Sequence, residues 1–594
     1  MLRSAARYTV TVMVLGCRTT ALLALLLFAA GAAGAQEPEP PAAGEDGARE
    51  PGEVFVDTVE VNVVNVEVYV TDKEGNRVTG LTRDDFEVYE DRRKVEITNF
   101  YAVEDGRPVA EFPRLRTPPA PPEPLPVPGV EADGRAAIPE EQRLNLIVYI
   151  DNFNLRPFNR NRVLRELRVF LGEEVRLGDR VMLVSYDRSL KVLRPFTTDP
   201  QAVASALVEL ERVTGHAAGR DNDRRSVMER IQDAGSPNQA LIWARSYAEE
   251  LSNDLRFTVD ALKEMVNWLS GLPGRKAVLY VSDGLPMVPA QELFHAVDAL
   301  HPAGSGAITE SLGFDASRLF QELAAQANAN RVTFYTIDAA GLRVDSSIDV
   351  QNRTAQPISV SSIDTHNVQA PLRYVADATG GVAILNRNRV LPALEQVATD
   401  FDTYYSLGYP APEAGRGRYH RIEVRVPGRR GLTVRHRDGY RDKTVEARMT
   451  DGTMTALRFE IARNPIEARL EFGEALRREG EQHWVVPIEV RIPIDNLTLI
   501  PRADSHEGRL RLFVAARDAA GDTSPVQQAT LPVSIPAADI ERARGEDWVY
   551  RVELLMRGGP HLVAVGVRDE LASSESFVSG NVVVGARPAA LEGL

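Results

Sequence analysis

Cysteine is almost absent from this chain of 594 residues. The one cysteine, Cys17, lies within the first 35 residues, which also read as an export segment. A mature chain that begins after Ala35 therefore has no thiol. This excludes disulfides, thiolate zinc sites and cysteine nucleophiles.

Long apolar runs are also scarce. The longest, residues 21–30 (ALLALLLFAA), is shorter than the ~20 residues that a membrane-spanning helix needs. It follows a basic, acid-free segment and precedes Ala33-Gly34-Ala35, which is the order of a secretory signal. We predict cleavage after Ala35, no membrane span in the mature chain and a secreted or periplasmic location. An uncleaved anchor and lipidation at Cys17 remain alternatives, although Cys17 precedes the apolar run rather than following it.

The common catalytic motifs are missing. The sequence has no phosphate-binding G-x-x-x-x-G-K-[ST] loop, no H-E-x-x-H and no G-x-S-x-G, and no two of its nine histidines stand three or four positions apart. The formal net charge of −15 opposes binding to nucleic acid. We expect no enzyme and no nucleic-acid partner; a hydrolase whose site is assembled from distant loops is the third-ranked alternative.

The patterns that are present divide the chain into β-rich ends and an α/β centre. Continuous apolar strands at residues 144–150, 181–186, 277–282 and 332–337 are separated by segments with helical periodicity. This alternation predicts a doubly wound, mostly parallel α/β sheet of Rossmann-like type. Alternating apolar residues predict β-sandwich-like domains on both sides. The predicted segments are a signal peptide (1–35), a disordered leader (36–53), a small β-domain (54–104), a Pro-rich linker (105–142), the α/β domain (143–405) with a helical insertion at about 215–272, a β-hairpin extension (406–445) and a C-terminal β-sandwich (455–590).

Two of these segments have more than one interpretation. The long insertion is either a helical elaboration beside the ligand edge of the sheet or a core helix with a long loop. In the hairpin extension, a basic cluster is either a solvated face or a patch for an acidic partner. The cluster consists of Arg416, Arg418, Arg421, Arg425, Arg429, Arg430, Arg435 and Arg437.

Several motifs together resemble the VWFA-related family of exported bacterial proteins, named for the von Willebrand factor A (VWA) domain. The motifs are GLTRDDFEVYED at 80–91, LIVYID at 146–151, GRKAVLYVSDG at 274–284, and YYSLGY at 404–409 followed by RDGY at 437–440. Their order and spacing cover residues 54–440, about two-thirds of the chain. The resemblance implies a VWA domain at roughly 143–405 and says little about the C-terminal region.

Similarity to VWA domains also implies a metal-ion-dependent adhesion site (MIDAS), in which Mg²⁺ or Mn²⁺ is held at the carboxyl edge of the sheet and takes a ligand carboxylate. Asp151 matches the first aspartate of that site and Asp283 matches the later Asp-Gly loop. The two serine positions are occupied by Phe153 and Leu155, and no Gly-Thr stands at 214–225, where Arg220 could fill the cation's space. A degenerate site is therefore expected. The residues that could compensate are Asn152, Asn154, Asp221 and Ser282.

These observations lead to one functional interpretation and one alternative. The first is an exported module that binds a protein partner through its VWA domain, with doubtful metal dependence. The alternative is a structural or assembly protein of the cell envelope that has no metal-dependent ligand site.

Overall fold

The computed structural model describes residues 63–104, 106–109, 143–175, 178–213, 217–302, 305–343, 358–411, 415–460, 463–477 and 483–585. The predicted signal peptide, the leader, Cys17 and most of the Pro-rich linker lie outside these residues. No helix among the described residues is long and apolar enough to cross a membrane. The described chain divides into two compact units, one within Val61–Ile461 and one within Ala462–Leu594.

The larger unit contains the predicted α/β region and the β segments on both sides of it. Its strands are β1 (Val63–Thr71), β2 (Glu87–Glu90), β3 (Arg93–Val95), β4 (Asn99–Glu104), β5 (Arg107–Pro108), β6 (Leu144–Asp151), β7 (Arg180–Tyr186), β8 (Leu190–Thr197), β9 (Arg275–Ser282), β10 (Val332–Asp338), β11 (Ala383–Ile384), β12 (Tyr404–Pro410), β13 (Tyr419–Arg425), β14 (Thr433–Arg435) and β15 (Gly439–Arg441). Its helices are α1 (Pro157–Glu174), α2 (Pro200–Leu210), α3 (Ala217–Gln232), α4 (Pro237–Trp268), α5 (Gln291–Leu300), α6 (Ala307–Ser311), α7 (Ser317–Ala329), α8 (Ile358–Ala378), α9 (Leu391–Asp402) and α10 (Val445–Phe459).

A six-stranded sheet forms the centre of this unit, in the order β11-β10-β9-β6-β7-β8. Its neighbouring strands are parallel except β7 and β8, which are antiparallel. Every residue of β6 and β9 is buried, because helices cover both faces of the sheet. Helices α1, α2 and α9 contribute to the apolar core on one face, and α4, α7 and α8 contribute to the core on the other. The predicted α/β fold is confirmed.

The long insertion combines features of both sequence interpretations. The C-terminal half of α4 packs on the sheet through apolar residues at helical spacing. Its N-terminal half, together with α3 and α5, forms a separate buried cluster that includes Ala244, Tyr247, Ile231 and Phe294. A single helix of 32 residues is thus a core helix at one end and part of a helical elaboration at the other.

The β segments before and after the α/β region share their sheets. Strand β12 pairs with β1 and β4, and β13 pairs with β2, giving the sheets β14-β1-β12-β4-β5 and β15-β13-β2-β3. Both sheets contribute to one apolar cluster that includes Val66, Val88, Leu407 and Ile422. The predicted small β-domain and hairpin extension are therefore interleaved, because the strands of each need partners from the other.

Buried polar contacts join these sheets to the α/β core. The Arg275 side chain, on β9, donates to the carbonyl oxygens of Asp400 and Phe401 at 3.0 and 2.8 Å and to the Tyr69 hydroxyl at 3.1 Å. The Asp400 carboxylate, 1% exposed, forms ion pairs with Arg77 and Arg435.

The basic cluster of the hairpin extension is only partly a solvated face. Six of its eight arginines are exposed. Arg435 instead pairs with buried Asp400, and Arg437 donates to the carbonyl oxygen of Asn65 at 2.7 Å. The interpretation as a solvated face therefore does not hold for Arg435, which pairs with a buried carboxylate, and Arg437 is only partly exposed.

The C-terminal unit consists of antiparallel sheets. Its elements are β16 (Arg469–Phe472), β17 (Leu476–Arg477), β18 (His483–Pro493), β19 (Ile500–Pro501), β20 (Ser505–Asp518), β21 (Gln527–Pro536), α11 (Ile540–Ala543), β22 (Asp547–Arg557), β23 (Gly559–Asp569) and β24 (Ser574–Val584). One sheet contains β16, β17, β18 and β22, and the other contains β19, β20, β21, β23 and β24. Alternate residues of β18, from Val486 to Ile492, point into a core to which both sheets contribute.

Candidate functional site

Four polar residues follow or end the parallel strands at the carboxyl edge of the central sheet. Asp151 ends β6, Ser282 ends β9 and is followed by Asp283, and Asp338 ends β10. Ligand crevices in open α/β sheets form at this edge, so these residues define the candidate site.

Asp151 is fully buried and accepts hydrogen bonds on both carboxylate oxygens. Its Oδ2 accepts from the Tyr280 hydroxyl at 2.6 Å, from Asn154 Nδ2 at 2.8 Å and from the Ser282 hydroxyl at 3.2 Å, and its Oδ1 accepts from the Asn154 backbone at 3.1 Å. Burial raises the pKa of the Asp151 carboxyl above its ordinary value. Asn154 and Ser282, two of the predicted helpers, thus contact Asp151 as hydrogen-bond donors.

Asp283 is held by different donors. Its Oδ2 accepts from the Arg156 backbone N–H at 2.9 Å, and Asn159 Nδ2 lies 3.0 Å from each carboxylate oxygen. Arg343 donates to the Asp283 carbonyl oxygen at 2.6 Å. Burial raises the pKa of the Asp283 carboxyl as well. The two predicted site aspartates thus lie at the same edge, each enclosed by its own donors.

Helix α3 brings a guanidinium group to the position where the resemblance implies a threonine. Arg220 donates to Asn154 Oδ1 at 2.8 Å and to the Phe153 carbonyl oxygen at 2.6 Å, and it lies 4.4 Å from the centroid of the Phe153 ring. The implied loop is helical from Ala217 onward, and residues 214–216 lie outside the described part of the chain.

The remaining predicted helpers point elsewhere. Both carboxylate oxygens of Asp221 accept from the Arg156 guanidinium at 2.8 Å. Asn152 Oδ1 accepts from the buried side chain of Arg160, a residue of α1. Within the described part of the chain, the side chains of Asp221 and Asn152 thus bond to arginines and not to Asp151 or Asp283.

Sequence reasoning missed Asp338, Arg343 and Gln369. Asp338 is 1% exposed, and its Oδ2 accepts from Gln369 Nε2 at 2.7 Å while its Oδ1 lies 3.3 Å from Arg343 Nη2. Asp338 follows an apolar strand just as Asp151 does, so the same pattern could have identified it. Arg343 and Gln369 come from a loop and a helix that carry no comparable signal.

This donor set does not fit a divalent cation at Asp151 and Asp283. Mg²⁺ requires an octahedron of oxygen ligands, usually including several waters. Here N–H and O–H donors engage both carboxylates, the two implied hydroxyl positions are the buried Phe153 and Leu155, and Arg220 adds a positive charge beside Asn154. A cation would have to displace these donors and overcome repulsion from the guanidinium group.

Comparisons with known proteins find similarity only to solved structures. No protein-family model and no curated protein matches the chain. An aerotolerance-related membrane protein from Bacteroides fragilis is 11% identical, with 43% of this chain and 98% of that chain covered and a TM-score of 0.23. A von Willebrand factor type A protein from Catenulispora acidiphila is 10% identical, covering 75% and 66%, with a TM-score of 0.20. Manganese-loaded TRAP protein from Plasmodium vivax is 11% identical, covering 51% and 95%, with a TM-score of 0.20.

Structural similarity at TM-scores this low supports no conclusion about the site. The resemblance to the VWA-related family rests instead on the molecule itself. A sheet in the order β11-β10-β9-β6-β7-β8, with helices on both faces and acidic residues at its carboxyl edge, is the α/β domain that the resemblance implies. The central domain thus has the doubly wound α/β fold that the resemblance implies.

Proposed function

We propose that this chain is an exported protein-binding module of adhesion type, whose partner protein docks on the carboxyl edge of the six-stranded sheet without a metal ion at Asp151 and Asp283. Export is inferred from the predicted signal peptide. The closed hydrogen bonding of both aspartates supports independence from metal.

The observation that carries the proposal is the side chain of Phe158. It lies in the first turn of α1, directly after the carboxyl edge of β6, and is 81% exposed. Arg156, two residues earlier, has a side chain that is 44% exposed, and Leu342, in the loop after β10 at the same edge, is 59% exposed. Aromatic and arginine side chains are enriched among the residues that dominate binding energy at protein interfaces.

Binding rather than catalysis suits the chemistry of this edge. Ser282 donates its hydroxyl to buried Asp151, and within the described residues no histidine hydrogen-bonds to Ser282 or to either aspartate. A serine nucleophile would need an adjacent base to take its proton. We therefore infer that the edge does not carry out acyl transfer.

A structural or assembly role at the cell envelope is the second candidate. The same closed network favours it, because buried aspartates that connect the ends of β6 and β9 to the loop and helix after β6 serve the fold whether or not a partner docks there. Under this candidate, partner capture would not depend on Phe158.

The test is capture of partners by immobilised mature chain, residues 36–594, from the envelope and secreted fractions of the producing cell. We expect a specific partner to be retained equally in Mg²⁺ and in EDTA. Phe158→Asp should reduce retention at least tenfold, because it replaces an apolar anchor with a charge. Phe257→Asp is the matched control, since Phe257 is an exposed phenylalanine (66%) on α4.

Three outcomes would decide against parts of this model. Loss of the partner in EDTA would restore a metal-dependent site. Equal retention by wild type and the Phe158 variant would move docking away from this edge and favour the structural role. Turnover of a hydrolase substrate panel, lost in Ser282→Ala, would replace binding with catalysis.

A further inference from the structure

We propose that Glu90, Asp91 and His420 form a binding site for a divalent transition-metal ion of the zinc type, remote in sequence from the residues of the sheet edge. Glu90 ends β2, Asp91 begins the turn to β3 with a φ of 46°, and His420 lies on β13, which pairs with β2. This proposal does not depend on the proposed function.

The spacing of the ligand atoms fits one small ion. His420 Nδ1 lies 2.9 Å from Asp91 Oδ2 and 3.6 Å from Glu90 Oε1, and one ligand atom from each of the three residues falls within 4.8 Å of the others. Zinc binds nitrogen and oxygen at ~2.0–2.2 Å in a tetrahedron, which separates neighbouring ligand atoms by about 3.3 Å. The two distances from His420 Nδ1 bracket that value.

Each carboxylate has one oxygen fixed by the protein and the other directed at the histidine. Glu90 Oε2 accepts from the Tyr440 hydroxyl at 3.0 Å, and its Oε1 is the atom nearer to His420. Asp91 Oδ1 accepts from the Arg421 backbone N–H at 2.9 Å, and its Oδ2 faces His420. Metal-binding carboxylates are commonly oriented by such outer hydrogen bonds.

The second ring nitrogen of His420, Nε2, also lies near a carboxylate that the protein holds in place. Nε2 is buried and has no hydrogen-bond partner among the described residues, and Asp442 Oδ2 lies 4.0 Å away. The Asp442 carboxylate is held in place by the backbone N–H groups of Arg416 and Arg418. A metal-bound histidine typically donates its other N–H to a carboxylate, so a small shift of the ring on metal binding would complete that arrangement.

Burial and charge favour a cation at this position. Glu90 and Asp442 are 5% and 6% exposed, so their negative charges are poorly solvated, whereas the Asp91 side chain is 52% exposed and leaves the cluster open to solvent on one side. The His420 ring stacks on Tyr440 with centroids 5.3 Å apart, which restricts its orientation. One imidazole with two carboxylates suits zinc better than Mg²⁺ or Ca²⁺, which prefer oxygen ligands alone.

The test uses the untagged mature chain, stripped with a chelator and then titrated with Zn²⁺ by calorimetry at pH 7.5. We expect one Zn²⁺ per chain and a rise in the unfolding midpoint of the larger unit as zinc is added. Asp91→Asn and His420→Gln should each weaken binding at least tenfold, and Tyr440→Phe about tenfold through loss of the outer hydrogen bond. Asp91 is half exposed, so its variant tests the site even if His420→Gln fails to fold.

The matched control is His436→Gln, which removes another histidine of the same β region, whose Nε2 accepts from the Val424 backbone. It should bind zinc like the wild type. Addition of Co²⁺ should give a visible absorption band that is lost in Asp91→Asn. The proposal is overturned if the wild type binds no zinc at 100-fold excess over micromolar protein, or if the zinc that it binds is unaffected by both Asp91→Asn and His420→Gln.

Discussion

At the scale of single residues, Asp151 acts as the acceptor that joins the ends of β6 and β9 to the loop after β6. It takes hydrogen bonds from Tyr280, Ser282 and Asn154 in an interior where its own side chain is 0% exposed. Asp151→Ala would leave these donors unpaired, and a buried unsatisfied group costs about 1–3 kcal/mol. We expect the free energy of unfolding of the larger unit to fall by roughly 3 kcal/mol, measured by urea denaturation.

Ser282→Ala serves as the comparison, because it removes one donor and leaves the acceptor paired with the others. Its expected cost is about 1 kcal/mol. If Asp151→Ala instead cost no more than Ser282→Ala, or stabilised the protein, Asp151 would have to be regarded as a residue kept for a ligand at the expense of stability.

The residue scale also shows how far the sequence could predict this site. Asp151 and Asp283 were located correctly at one edge because each follows an apolar strand. The missing serines have a physical explanation, since Phe153 and Leu155 are buried in the two cores on opposite faces of the sheet. Arg220 was identified from the missing threonine loop, and it lies against Asn154 and Phe153. The contacts of Arg156 and Arg343 and the approach of His420 to Glu90 and Asp91 were beyond prediction, because the partners lie tens to hundreds of positions apart and no spacing rule connects them.

At the scale of elements, the helical elaboration contains a buried acid that makes its stability depend on pH. Glu292, in the first turn of α5, is 5% exposed, and its nearest described cation is Arg224 of α3, whose Nη1 lies 3.8 Å from it. Burial, reinforced by the negative charge of Asp364, raises the pKa of Glu292 to about 7.

The direction of the change in stability with pH depends on whether the folded or the unfolded chain keeps the proton of Glu292. Between pH ~4.5 and ~7 the folded protein retains a proton on Glu292 that the unfolded chain has released, so stability falls as pH rises. At about 1.4 kcal/mol per pH unit, Glu292→Gln should gain roughly 2–3 kcal/mol relative to wild type between pH 4.5 and 7.5. Urea denaturation across this range measures the difference.

The control is Glu229→Gln, which removes an exposed glutamate on α3. Its free energy of unfolding relative to wild type should stay nearly constant with pH. If the difference in free energy of unfolding between Glu292→Gln and wild type were also constant with pH, Glu292 would have to be ionised in the folded state. The interior of the helical elaboration would then have to admit water.

Periodicity predicted most of the strands but not their partners. Residues 404–409 were identified as a strand, yet β12 pairs with β1 and β4, more than 300 positions earlier. Alternation identifies which face of a strand is buried, whereas these pairings join segments that the whole α/β region separates in sequence. Local patterns therefore predicted a separate small β-domain and a separate hairpin extension, because they contain no information about pairing between distant strands.

At the scale of the whole molecule, the two compact units have separate apolar cores. The C-terminal unit is built on the cluster of β18, β20, β22 and β23, and none of its members belongs to the clusters of the larger unit. Cooperative unfolding follows the extent of a shared core. We therefore expect the full chain to unfold in two steps rather than one.

The positions of the tryptophans allow this expectation to be tested directly. Of the four in the sequence, Trp243 and Trp268 lie in the larger unit and Trp484 and Trp548 in the C-terminal unit. Replacing either pair with phenylalanine makes fluorescence report on one unit alone.

Ile488→Ala, at a position that is 0% exposed in the C-terminal core, should then destabilise only the step reported by Trp484 and Trp548, by about 2–5 kcal/mol. Leu164→Ala, equally buried beneath the central sheet, should shift only the other step. If either substitution moved both steps equally, the units would share their stability, and a partner bound at the sheet edge would then also stabilise the C-terminal sheets.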